Sequence, residues 1–225
     1  MKKNLLMAMA AAGMLSSGLV FGQSETNFTF GAGQTVPDGN NSGIAFSTNL
    51  TVLGGSIGSV TVSLDISGGY NGDLYAYLAG PNGGFSVLLN RVGVSNNASA
   101  FGYPDAGLNL TFSDSGANNI HFYQNVPAYD ISSGTALWQP DGRNVDPQLT
   151  DPTVLGATSP SAPLNSFDAT DPNGTWTLFL ADLSNGGQST VVSWGLDITT
   201  VPEPSVLALT GLGLAAAVLL VRRRE

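Results

Sequence analysis

The sequence predicts an all-β domain, a two-sheet β-sandwich with a targeting segment at each end. Three observations predict it. Apolar residues make up 42% of the 225 and charged residues only 10%, which leaves too few Glu, Lys and Arg to dress the outer faces of helices. Several segments alternate apolar and polar residues with a period of two. Gly, Pro and Asn cluster between those segments as turn signals, and 29 residues are glycine.

Taken in chain order, residues 1–22 have the three parts of a secretory signal: Lys2-Lys3, the apolar run Leu5 to Leu15, and Val20-Phe21-Gly22 before a cleavage point at Gln23. The β domain then occupies 23–200. Strands are expected at Ile44 to Leu53, Val60 to Ile66, Leu74 to Leu78, Phe85 to Leu89, Leu108 to Phe112, Thr175 to Ala181 and Trp194 to Ile198, within a total of eight or nine. Turns fall at Gly68-Gly69, Gly80 to Gly84, Asp171 to Gly174 and Asn185 to Gly187. Gln124 to Asn165 breaks the rhythm with six prolines and reads as an extended crossing loop, pinned by Tyr129 and Trp138. Residues 201–225 form the tail: Pro202-Glu203-Pro204, then Ser205 to Val221 without a charge, then Arg222-Arg223-Arg224. Seventeen residues of helix reach roughly 25 Å, a transmembrane helix at the short limit. The three arginines hold the end in the cytoplasm and the domain outside.

Charge narrows the partners. Between residues 23 and 201 only Arg91 and Arg143 oppose fourteen acids, a formal charge of −12. Such a domain is repelled by nucleic acid and anionic lipid and attracts divalent cations. The absence of cysteine excludes disulfides, thiolate metal sites and a cysteine nucleophile.

Two resemblances attach to these motifs. Pro202-Glu203-Pro204, the Gly/Ala/Leu-rich stretch and the terminal arginines together resemble the PEP-CTERM sorting signal of certain Gram-negative bacteria. That resemblance implies an exosortase-type partner, transient anchoring in the inner membrane, and delivery to the cell surface or medium among biofilm polysaccharide. Asn71 to Leu78, Gly80 to Gly83, Pro163 to Phe167, Asn173 to Leu178, Asp182 and Ser193 to Leu196 resemble the P domain (P/Homo B), a jelly-roll module found beside subtilisin-like proteases. Gly69-Tyr70-Asn71 departs from the His-Thr pair that often precedes Gly-Asp-Leu there. The resemblance implies calcium held between loops, with Asp73, Asp114 and Asp182 as the candidate carboxylate ligands, the alternative for each being a side chain that caps a turn or strand end.

Enzymatic chemistry finds little support in the residues. Any imidazole mechanism must use His121, the one histidine. Gly54 to Gly58 fits G-x-S-x-G around Ser56, but a β-prone run follows where a nucleophile elbow needs a helix. Asp168 and Asp171, like Asp141 and Asp146, form acidic pairs that a polysaccharide hydrolase could use or that simply make Asx-turns. Tyr75 and Tyr77 share one strand face and, with Tyr70, either stack on sugar rings or pack under the long loop. The expected function is therefore a non-enzymatic exported binding or structural protein, with extracellular polysaccharide as a partner. Its rivals are an accessory factor to a separately encoded subtilisin-like protease and, more weakly, a polysaccharide hydrolase.

Overall fold

The computed structural model describes residues 23–94, 101–144 and 163–202. The expected signal peptide, the tail from Glu203 onward and the middle of the long loop lie outside them. Among the described residues nine strands occur in order: β1 Ser24–Thr35, β2 Asn40–Leu50, β3 Ser56–Gly68, β4 Leu74–Ala79, β5 Phe85–Asn90, β6 Leu108–Phe112, β7 Leu137–Trp138, β8 Gly174–Asp182 and β9 Ser189–Val201. Helical structure among the described residues is confined to short 3₁₀ turns. None of it is long and apolar enough to cross a membrane.

Two sheets stack face to face. One has the order β1-β9-β3-β6-β7 and the other β2-β8-β4-β5. Alternation sets which side chains go in. Val60, Val62, Leu64 and Ile66 of β3 are buried, as are Leu74, Ala76 and Leu78 of β4, while the residues between them face out. The inner faces meet around Trp176, Phe112, Phe167 and Trp194. Burying four such rings contributes several kcal/mol at about 1.5–3 kcal/mol each.

Register gives the sandwich two distinct ends. At one end lie Ser24, paired with Thr200; Val201, paired with Ser56; and Leu50, paired with Gly174. At the other lie Leu74, paired with Asp182, and Gly68, paired with Ser189. Gly72 has a packing reason to be glycine: a Cβ there would meet the Phe101 carbonyl oxygen at 2.4 Å and the Tyr103 nitrogen at 2.6 Å.

Three details differ from the sequence expectation. β1 forms a long edge strand where none was expected. β2 stops at Leu50 rather than Leu53, because the chain turns away through Val52 at φ 72°. The described part of the long loop does not merely cross: residues 137–138 add a parallel fifth strand beside β6. Trp138 does pin it, buried and donating from its indole N–H to the Asp130 carbonyl at 2.8 Å. Tyr129 packs on Tyr123 at 5.1 Å.

Candidate functional site

Asp73 closes the 3₁₀ turn Asn71–Asp73 at the head of β4, and Asp182 ends β8 directly alongside. The Asp73 carbonyl accepts the Leu183 N–H at 2.9 Å, which ties the two strand ends together. Asp73 is 5% exposed and Asp182 is fully buried. The Asp182 carboxylate accepts the Ser184 N–H at 3.3 Å through Oδ1, but Oδ2 meets no hydrogen-bond partner among the described residues. Burial pushes the Asp182 carboxyl up to about 6, against the backbone N–H groups of Ser184 and Gly39 and reinforced by the charges of Asp73 and Asp38. Asp73 is likewise raised by burial, against the pull of Ser184 and Arg91. Asp38 stands at the rim in the β1–β2 turn, where both its oxygens accept the Gly186 N–H.

Asp114 is not part of this cluster. It follows β6 toward the opposite end of the sandwich, and its two oxygens accept the N–H groups of Leu164 at 3.0 Å and Asn165 at 2.7 Å. Its role here is to cap the Leu164–Phe167 turn. No group of three or more acidic, histidine or cysteine side chains able to hold a metal occurs among the described residues. Asp73 and Asp182 are thus two carboxylates side by side, fewer than the six to eight oxygens that calcium takes. The unpartnered buried oxygen of Asp182 is the feature that a cation would satisfy.

His121 lies elsewhere, in the turn Ile120–Asn125. Both its ring nitrogens are engaged: Nδ1 with Asp141 Oδ2 at 2.6 Å, Nε2 with the Val94 carbonyl at 2.7 Å. The ring has no exposed surface. Asp141 spends its other oxygen on Arg143 at 2.6 Å, and that guanidinium lies over the Phe122 ring at 5.0 Å. Nothing in this arrangement presents an imidazole to a substrate. Asp141 was legible only as a loop acid, and no spacing signals its bond to His121. Ser56 opens β3, so a strand does follow it.

Tyr75 and Tyr77 are half-buried on the outer face of the four-stranded sheet. Tyr77 stacks on Phe179 of β8 at 4.9 Å and touches Phe85 of β5 at the same distance, and Tyr75 meets it edge-on at 6.1 Å. Phe85 and Phe179 are the residues that sequence reasoning missed here. The cross-strand register Tyr77–Phe179 brings them together. Tyr70 is separate, exposed beside Gly187 at the acidic end.

The described chain finishes at the other end of the sandwich. β9 is paired on both sides almost to its last residue, Thr200 with Ser24 and Val201 with Ser56. Pro202, the first residue of the Pro-Glu-Pro tripeptide, follows without a linker. Gly55 fits against it only because it lacks a Cβ, which would meet the Val201 carbonyl oxygen at 2.4 Å.

Comparison by sequence with curated proteins finds no match. Among solved structures the chain is similar to a crystal structure of the Aeromonas sobria serine protease in complex with a chaperone, at 15% identity and a TM-score of 0.44. The match covers 81% of this chain and 28% of that one. A second structure, of the Aeromonas sobria serine protease, gives 15% identity and a TM-score of 0.43 over 80% and 27% of the two chains. The chain thus spans under a third of the length of these proteins. Residues 200–224, beginning on the last residues of β9, match the PEP-CTERM protein-sorting motif.

Proposed function

We propose that this chain is an exported, non-enzymatic β-sandwich module, delivered by its sorting tail to the cell surface or the extracellular matrix, where it binds or builds rather than catalyses. The observation that carries the reading is the sorting motif itself, which starts where the terminal strand ends. The engagement of both His121 nitrogens supports the non-enzymatic part. The strand orders β1-β9-β3-β6 and β2-β8-β4-β5 have the winding of a jelly roll and support a P-domain-like reading. The aromatic row around Tyr77 is a candidate contact for extracellular polysaccharide.

The test is the intact mass of the native protein together with its distribution between inner membrane and medium. A C-terminus trimmed near Pro202-Glu203-Pro204 in the exported fraction supports the reading. A full-length tail retained in the inner membrane overturns it. Calcium at Asp73 and Asp182 belongs to the same proposal. Millimolar Ca²⁺ should raise the melting temperature of the wild type, by the equivalent of about 2.7 kcal/mol at a hundredfold excess over Kd. Asp182→Asn should lose that response, and a wild type that does not respond removes calcium from the proposal.

A further inference from the structure

The end of the sandwich from which the tail departs carries an unusual loop. Val52 is 94% exposed, the most exposed of the large apolar residues described, and its backbone sits at φ 72°. A β-branched residue in the left-handed region is strained, and Gly54 and Gly55 stand two and three positions on without having been used there. The loop is nevertheless held firmly. Asn173 accepts the Leu53 N–H at 2.9 Å and donates to the Leu53 carbonyl at 2.8 Å, while Asp171 fixes Asn173 through two further bonds. A rigid support thus presents one apolar side chain to the outside at a conformational cost.

Tether length says what lies opposite. Pro202 is the last residue described and the uncharged run begins at Ser205, so at most about 10 Å of chain separates them. β9, with 13 residues, runs about 40 Å away from that point toward the acidic end. We infer that, while the tail is anchored, the sandwich stands end-on upon the bilayer, with Val52 and the 51–55 loop docked into the lipid headgroup layer and the Asp73–Asp182 end turned away from it. This rests on the reading of the tail as a membrane anchor. The acids near the docked end, Glu25, Asp114, Asp168 and Asp171, oppose an anionic surface, so the layer that suits it carries no net charge. One valine does not hold a protein to a membrane by itself, which leaves the domain free to depart once the tail is cut.

The chain has no cysteine, so single labels are clean. The tail-bearing protein, expressed in a host without a sorting enzyme, would be reconstituted in phosphatidylcholine vesicles with an environment-sensitive dye at Val52→Cys, Gly54→Cys or Gln188→Cys. A Cβ on Gly54 meets nothing within 4 Å, which makes it a second probe that does not disturb the fold. Expected are a blue-shifted emission and quenching by nitroxide lipid at positions 52 and 54, neither effect at 188, and loss of both when a long Gly/Ser linker is inserted after Pro202. Protein that fails to float with the vesicles overturns the anchor reading, and the inference with it. Protein that floats but leaves positions 52 and 54 in water, or shifts position 188 equally, overturns the end-on docking alone. A shift seen in native membranes but not in pure lipid assigns the loop to a protein partner and also overturns it.

Discussion

Two clusters of charge are buried among the described residues, and they are built on opposite principles. Around Asp141 every carboxylate oxygen has a partner: His121 takes one and Arg143 the other, each at 2.6 Å. Around Asp182 two like charges are packed at adjoining strand ends, with Arg91 acting on Asp73, and one Asp182 oxygen meets no hydrogen-bond partner. The first cluster is closed and ties the 119–143 segment to the sandwich. The second is open, with its ionised form penalised, and it is where a proton or a cation has something to gain.

Removing one member of each cluster should give unequal results. Asp141→Ala leaves the buried Arg143 guanidinium without its anion and the His121 Nδ1 without its partner, and should cost about 3–5 kcal/mol in denaturant unfolding. Asp182→Ala removes a strained charge and should cost far less, or stabilise. Equal losses would erase the distinction between the clusters.

pH sharpens it further. Asp182 titrates near 6 in the folded protein and near 3.8 as its ordinary value, so the folded state binds that proton more tightly. Stability should therefore rise as pH falls from 7 through 6, and level off below about 4, where both states are protonated. The full effect is about 2–3 kcal/mol. Asp197, pushed up to about 6 by burial and by its hydrogen bond and repulsion with Glu25, adds to the same trend. Melting curves of Asp182→Asn should keep the Asp197 part of the slope and lose the rest. An unchanged slope would mean that Asp182 is not the group titrating.

The smallest effect expected lies at the other end of the sandwich. Val52→Asn suits the left-handed backbone and should gain about 1 kcal/mol, measured as a shift in denaturation midpoint. A loss instead would show that the valine makes a contact that holds the loop.

Much of the fold was legible because burial on one face writes itself into alternation. Val60 to Ile66 and Trp194 to Ile198 are plain in the sequence for that reason. β1 is less plain: Phe28 and Phe30 alternate with Asn27 and Thr29, but Gly31 and Gly33 cut the run short. The site was legible in part. Asp73 and Asp182 emerged from their motifs, and the register Leu74–Asp182 brings them side by side. Asp114 belonged to the same expectation, but whether an acid caps a turn or faces a cluster depends on which strand end it occupies, and local sequence does not carry that. The bond between His121 and Asp141 joins two loops, and no period or spacing encodes it.

β9 is the last strand of the nine in sequence and yet lies between β1 and β3 in its sheet. Neither neighbour can complete its ladder until the final residues of the domain arrive, so the sandwich cannot close early. A chain that emerges N-terminus first must stay open for almost the whole of its passage. Completion of both ladders thereby waits on Val201, a residue that already lies inside the sorting motif.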